Sequence, residues 1–154
     1  MEDAGAQIAE ALGLLLRRAT RTGLYRELTA GLGEAVDELT YPVLSGLART
    51  GPRTAAALAE DVGLDRSGVS RYASRLEAAG LLRREPDPAD GRAVLLTLTS
   101  LGTETVASLR ARLAAHITSA LSDWPYGEVS AFARMLRRFA EDGPFAAVDE
   151  RATG

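Results

Sequence analysis

The stretch from Thr54 to Leu98 constrains the fold most, because its structural signals follow one another with almost no spacer. Thr54 is placed to cap a short helix running to Asp61, with Leu58 and Val62 as its apolar anchors. Gly63 permits a tight turn. Asp65 can cap a second helix that runs to Ala79 and stops at Gly80, where a helix end favours glycine. The rhythm then changes. Leu81-Leu-Arg-Arg-Glu and Arg92-Ala-Val-Leu-Leu-Thr-Leu read as two short strands around the turn-rich tip Pro86-Asp-Pro-Ala-Asp-Gly. Two helices joined by a glycine-containing turn and followed directly by a hairpin form a winged helix-turn-helix, here centred on residues 54 to 98.

The flanks are helical, so the fold class is mostly α (α+β) in a single domain. Ile8, Leu12, Leu15, Leu16 and Ala19 recur at three- and four-residue steps, which predicts one amphipathic helix from Gln7 to about Leu28, punctuated by Gly31 and Gly33. Thr40 is a plausible N-cap for a helix with Pro42 in its first turn and Val43, Leu44 and Leu47 inward, ending near Gly51-Pro52. After the hairpin, Thr99 or Ser100 opens a long helix striped by Val106, Leu109, Leu113, Ile117 and Leu121. Trp124-Pro125 breaks it, and a last helix carries Val129, Phe132, Leu136 and Phe139 to Gly143-Pro144. Long amphipathic helices outside a winged helix need a surface to bury, either one another or a second chain. The expected organisation is residues 6–33 and 99–143 as dimerisation helices, 40–98 as the DNA-binding region, and 144–154 as a loose tail.

The richest chemistry lies in Asp65-Arg-Ser-Gly-Val-Ser-Arg-Tyr-Ala-Ser-Arg-Leu. At about 100° per residue, Val69, Tyr72, Ala73 and Leu76 gather on one side. Arg66, Ser67, Ser70, Arg71, Ser74 and Arg75 occupy the other. Small side chains let a helix enter the major groove, where arginines reach guanine edges or phosphates. Base contacts usually come from the N-terminal half of such a helix, which favours Ser67, Ser70 and Arg71 for bases, and Arg66 and Arg75 for phosphates. A solvated surface helix would show the same face, and the stretch alone does not separate the two readings. On the hairpin tip, Arg92 is placed to enter a narrow minor groove, and Asp90 two residues earlier is placed to pair with it. An ordinary surface turn would also use Asp and Gly there.

Taken in order, Thr54-Ala-Ala-Ala-Leu-Ala-Glu-Asp-Val-Gly-Leu-Asp-Arg-Ser-Gly-Val-Ser-Arg, Arg75-Leu-Glu-Ala-Ala-Gly-Leu-Leu-Arg-Arg, Asp87-Pro-Ala-Asp-Gly-Arg-Ala-Val and Leu98-Thr-Ser-Leu-Gly resemble the MarR family of bacterial and archaeal regulators. The match in order and spacing covers about residues 40 to 105. The resemblance implies an obligate homodimer with interlaced first and last helices, presenting two winged helices to successive major grooves of a pseudo-palindromic operator in double-stranded DNA. It also implies that Ser70 and Arg71 read the groove and that Asp90 with Arg92 forms the wing pair. Many relatives carry an arginine where this chain has Gly91, which implies a weaker hold on the minor groove. The family commonly responds to small aromatic or anionic effectors, and the implied activity is that of a ligand-responsive repressor.

Other classes fit less well. The net charge of −3 looks wrong for a DNA binder, but phosphate contact needs only a local basic surface. All 18 basic residues are arginine. With no cysteine, neither a disulfide scaffold nor a thiol redox switch is expected. His116, the single histidine, lacks metal-ligand spacing, so no metal and no cofactor are expected. No nucleophile, base and orienter set suggests an enzyme, so no catalytic residue is assigned. Tyr25, Tyr41, Tyr72 and Trp124 are candidates for lining a small-molecule pocket, although aromatics at helical positions are more often core. A winged helix used only as a protein-interaction module is the alternative; it would favour an apolar or acidic outer face in place of arginines. The acidic start Met1-Glu-Asp-Ala-Gly and the absence of a long apolar run give a cytoplasmic expectation without membrane contact.

Overall fold

The computed structural model describes residues 2–144, so the tail expected over 144–154 lies, apart from Pro144, outside the described residues. Seven helices and one hairpin are described: α1 (Glu2–Leu16), α2 (Arg18–Thr29), α3 (Tyr41–Thr50), α4 (Ala55–Val62), α5 (Arg66–Ala78), β1 (Leu82–Pro86), β2 (Val94–Leu98), α6 (Ser100–Ala120) and α7 (Tyr126–Asp142). The chain divides within α6 into two compact units, Met1–Ala111 and Arg112–Gly154. Among the described residues, no helix is long and apolar enough to cross a membrane.

In the first unit the core is built by the winged helix. Val43, Leu44, Leu58, Val69, Ala73 and Leu76 from α3, α4 and α5 are fully buried, and Leu82 and Leu96 seal the hairpin onto them. Each of these leucines and valines contributes about 1.5–3 kcal/mol by leaving water. Helices α3 and α4 approach closely at Gly46, where a Cβ would lie 2.7 Å from Val62 Cγ1 and 2.8 Å from Leu58 Cδ1. The strands pair antiparallel from Leu82↔Leu98 to Pro86↔Val94. Arg53, just before α4, adds a bridge to Leu96, donating at 3.2 Å and accepting at 2.7 Å.

The caps explain why the helices start and stop here. Thr54 Oγ1 accepts the Ala57 N–H at 3.2 Å, and the Asp65 carboxylate accepts the Gly68 N–H. At the end of α5, Gly80 has φ +77°; its N–H reaches Glu77 O while the Leu81 N–H reaches Leu76 O, both at 2.9 Å. These paired bonds satisfy the last carbonyls and turn the chain straight into β1. Thr99 joins the other end of the wing. Its hydroxyl donates to Gly80 O at 2.6 Å and accepts from Gly102 N at 3.1 Å, which opens α6.

Two local expectations need correction. The single helix predicted from Gln7 to Leu28 is two helices, because Arg17 adopts an extended backbone (φ −60°, ψ 136°) between α1 and α2. Thr40 precedes α3 but makes no side-chain cap to it. Instead its buried hydroxyl donates to Ala35 O at 2.8 Å and accepts from Asp37 N at 3.0 Å, closing the loop before the helix. Along the α6 stripe, Val106 and Leu109 are buried and Ile117 is 47% exposed.

The second unit joins the C-terminal half of α6 to α7. Trp124 packs against Phe132 with ring centroids 5.7 Å apart, and the two helices flank an apolar cavity of about 700 Å³. Phe132, Met135 and Leu136 stay 40%, 59% and 49% exposed.

Candidate nucleic-acid interface

Helix α5 buries Gly68, Val69, Ala73 and Leu76 and turns Arg66, Ser67, Arg71 and Ser74 to solvent. Ser70, Tyr72 and Arg75 are half-buried at the margins. The N-terminus is held by Asp65, which accepts the Gly68 N–H and, at 2.7 Å, the Ser67 hydroxyl. These bonds hold the Asp65 carboxyl below the usual carboxylate range. Ser67 therefore spends its proton on the cap and offers only its oxygen outward. The Arg71 guanidinium lies 5.2 Å from the Tyr72 ring centroid, a cation–π arrangement that leaves its N–H edges free to donate.

Arg75 is placed differently from the other arginines of the face. Its Nη2 donates to Asp37 Oδ2 at 2.7 Å and to Glu34 O at 3.0 Å, so it binds α5 to the α2–α3 connection. Burial pushes the Asp37 carboxyl up, but Arg75 together with the Thr40 and Leu39 N–H groups outweighs this and leaves it lowered. The exposed Ser74 hydroxyl donates back to Ser70 O at 3.0 Å.

The wing tip is organised by its own side chains. Asp87 accepts the Ala89 N–H at 2.9 Å, and Asp90 accepts the Arg92 backbone N–H at 3.1 Å. The pairing expected between Asp90 and the Arg92 guanidinium is thus a bond to the Arg92 backbone, for a simple reason: a two-residue Asx turn brings the carboxylate to the N–H first. The Arg92 side chain is exposed.

Sequence reasoning missed Arg84. Its guanidinium donates to the Glu77 carboxylate, to Ser74 Oγ at 3.1 Å and to Ser70 O at 3.3 Å. The available signal was strand alternation: Arg84 is in register with the buried Leu96, so it lies on the side of the ribbon that meets α5. The pocket expected around the four aromatic residues is also rearranged. Tyr25 and Tyr72 line a cavity of about 430 Å³ with Arg18, Arg21, Glu38 and Asp65. Tyr41 stacks behind Tyr25 at 4.3 Å, and Trp124 belongs to the second unit. His116 is exposed on α6.

The winged-helix segment matches the MarR family model over residues 36–93. Beyond it, the chain is 32% identical over 127 residues to the HTH-type transcriptional regulator YxaD of Bacillus subtilis (strain 168), covering 82% of this chain and 86% of that one. The chain belongs to the MarR family. Two solved regulators extend the likeness along most of the chain. The MarR family transcription regulator SP03579 superposes with a TM-score of 0.68 at 25% identity, covering 97% of this chain and 95% of its own. The PcaV transcriptional regulator from Streptomyces coelicolor, solved in complex with its natural ligand, gives 0.56 at 29% identity with 88% and 91% covered. This MarR-family chain is thus a transcriptional regulator of the DNA-binding type, and its mostly helical winged-helix fold is the family's. The arginine-bearing outer face of α5 suits a polyanion and does not favour a winged helix that binds only protein.

Proposed function

We propose that the chain acts as a homodimeric, sequence-specific repressor, working by binding and not by catalysis. Residues 40–98 form the DNA-binding region, and 6–33 with 99–143 the dimerisation helices. The observation that carries this reading is the outer face of α5, where Arg66, Ser67 and Arg71 are exposed beside Ser70 on a helix capped at both ends. Ser67, Ser70 and Arg71 meet base edges in the major groove, Arg66 meets phosphate, and Arg92 enters the minor groove. Arg75 serves by holding α5 through Asp37.

Dimerisation is supported by apolar surface that one chain leaves uncovered: Ile8, Leu15 and Leu16 on α1 are 50%, 61% and 57% exposed, and Met135 and Leu136 on α7 stay open as well. A small aromatic anion is the proposed effector. In the cavity beside α5, Arg18 and Arg21 supply cations while Tyr25 and Tyr72 supply ring faces. Asp65, the N-cap of α5, lines the same cavity, so an occupant touches the recognition helix directly. A ligand that binds the DNA-incompetent pose more tightly releases the operator by that difference in affinity.

Selection of duplexes from a random pool by the wild-type protein tests this reading. A pseudo-palindrome with half-sites about one helical turn apart, roughly 34–36 Å, is the expected result. Enrichment of no sequence, or of a single unrepeated half-site, would contradict it.

A further inference from the structure

Arg84 is exposed on a hairpin whose three arginines are balanced by Glu85, Asp87 and Asp90. Strand alternation divides the hairpin's charged residues between its two faces. Arg83, Glu85 and Thr97 bond to one another on one face: Arg83 Nε donates to Glu85 Oε2 at 3.1 Å, and Thr97 Oγ1 donates to Glu85 Oε1 at 2.9 Å. Arg84 lies on the other face, across from Leu96, whose side chain is 2% exposed. From there its guanidinium meets three acceptors on α5: Ser70 O, Ser74 Oγ and the Glu77 carboxylate. Positions 70, 74 and 77 follow the i, i+4, i+7 stripe of a helix, so one planar group spans about two turns. Ser74 is consumed by this arrangement, since it accepts from Arg84 and donates to Ser70 O at 3.0 Å.

We propose that Arg84 is a positioning residue for DNA recognition: it clamps the flank of α5 to the wing and fixes the rotation at which Ser70 and Arg71 meet the bases. The clamp rests on the reading of α5 as the recognition helix. Val69, Ala73 and Leu76 hold that helix from its buried side, but apolar packing is non-directional and tolerates small rotations about the helix axis. Hydrogen bonds from a rigid fork do not. Because the same residue sits in β1, a shift of the wing on its groove is passed to α5. Ser74 belongs to this clamp and makes no base contact.

The test compares wild type with Arg84→Lys, Arg84→Gln and Glu77→Gln on the duplex enriched from a random pool and on its scrambled counterpart, across a salt series. Lysine keeps the charge and loses the fork. The expected result for Arg84→Lys is a loss of about tenfold in the ratio of specific to scrambled affinity, with the salt slope unchanged. Glu77→Gln is expected to lower the same ratio, and the double variant Arg84→Lys with Glu77→Gln to lose less than the sum of the two. Thermal unfolding of each variant is followed in parallel, so that the ratio is read on folded protein. A wild-type ratio in Arg84→Lys overturns the clamp. So does equal weakening on both duplexes with a slope lower by about one, the mark of a phosphate contact. If wild type itself does not discriminate between the duplexes, the recognition-helix reading fails and the clamp with it.

Discussion

Arg75 and Asp37 are joined at 2.7 Å, and through them α5 is fastened to the connection between α2 and α3. The Arg75 side chain is 37% exposed and that of Asp37 29%, so solvent screens the pair and its contribution is about 1 kcal/mol. Arg75→Ala and Asp37→Asn are each expected to lower stability by about that amount, read from urea midpoints.

The pair also sets a pH dependence. The Asp37 carboxyl is lowered in the folded state from its ordinary value of 3.8, so its contribution is complete above that value and is lost as pH falls through the lower folded one. The stability difference between wild type and Asp37→Asn is therefore expected to be constant from about pH 5 to 7 and to close as the pH drops below about 4. A gap that widened in acid would contradict the assignment.

Gly102 is expected to tolerate no side chain. A Cβ there would collide with the Leu81 carbonyl oxygen, which is backbone and accepts the Thr99 N–H at 3.1 Å. Gly102→Ala should destabilise the protein by about 2 kcal/mol or more, despite alanine being the better helix former. Chemical denaturation measures this directly, and a neutral substitution would show that α6 and the wing are not locked together here.

Asp90 and Arg92 are expected to separate on mutation. Asp90 holds the Arg92 backbone, so Asp90→Asn, which keeps an acceptor oxygen, should leave DNA affinity within about twofold. Arg92→Ala should lose about tenfold and lower the salt slope by about one. Titrations of both variants on one duplex decide the matter: equal losses would mean that Asp90 holds the guanidinium on DNA.

Met135 is 59% exposed on α7, and a charge there disturbs little within one chain. Met135→Glu is therefore expected to keep its helical circular dichroism yet to sediment as a monomer and bind operator at least about a hundredfold more weakly. A dimer of unchanged affinity would place the dimer surface elsewhere.

Most of the winged helix was legible because its signals are local. Thr54, Asp65 and Gly80 each act within a few residues along the chain, and residue type at a helix end is enough to read them. What stayed hidden depends on distant partners. Arg75 reads as a phosphate contact until Asp37, 38 residues earlier, is brought beside it. Arg84 carries no local signal of its role, and only strand register sets it against α5. The Arg53 bridge to Leu96 has no local signature either. The break at Arg17 was invisible for another reason: no glycine or proline marks it, and the apolar stripe runs through it.

The central claim, that α5 reads bases through Arg71, is tested most directly by a salt titration of wild type and Arg71→Ala on operator and scrambled duplexes. The account predicts that Arg71→Ala loses about tenfold or more on operator and little on the scrambled duplex, which removes discrimination. A uniform loss on both, with a shallower salt slope, would move Arg71 to the phosphate backbone and contradict the account.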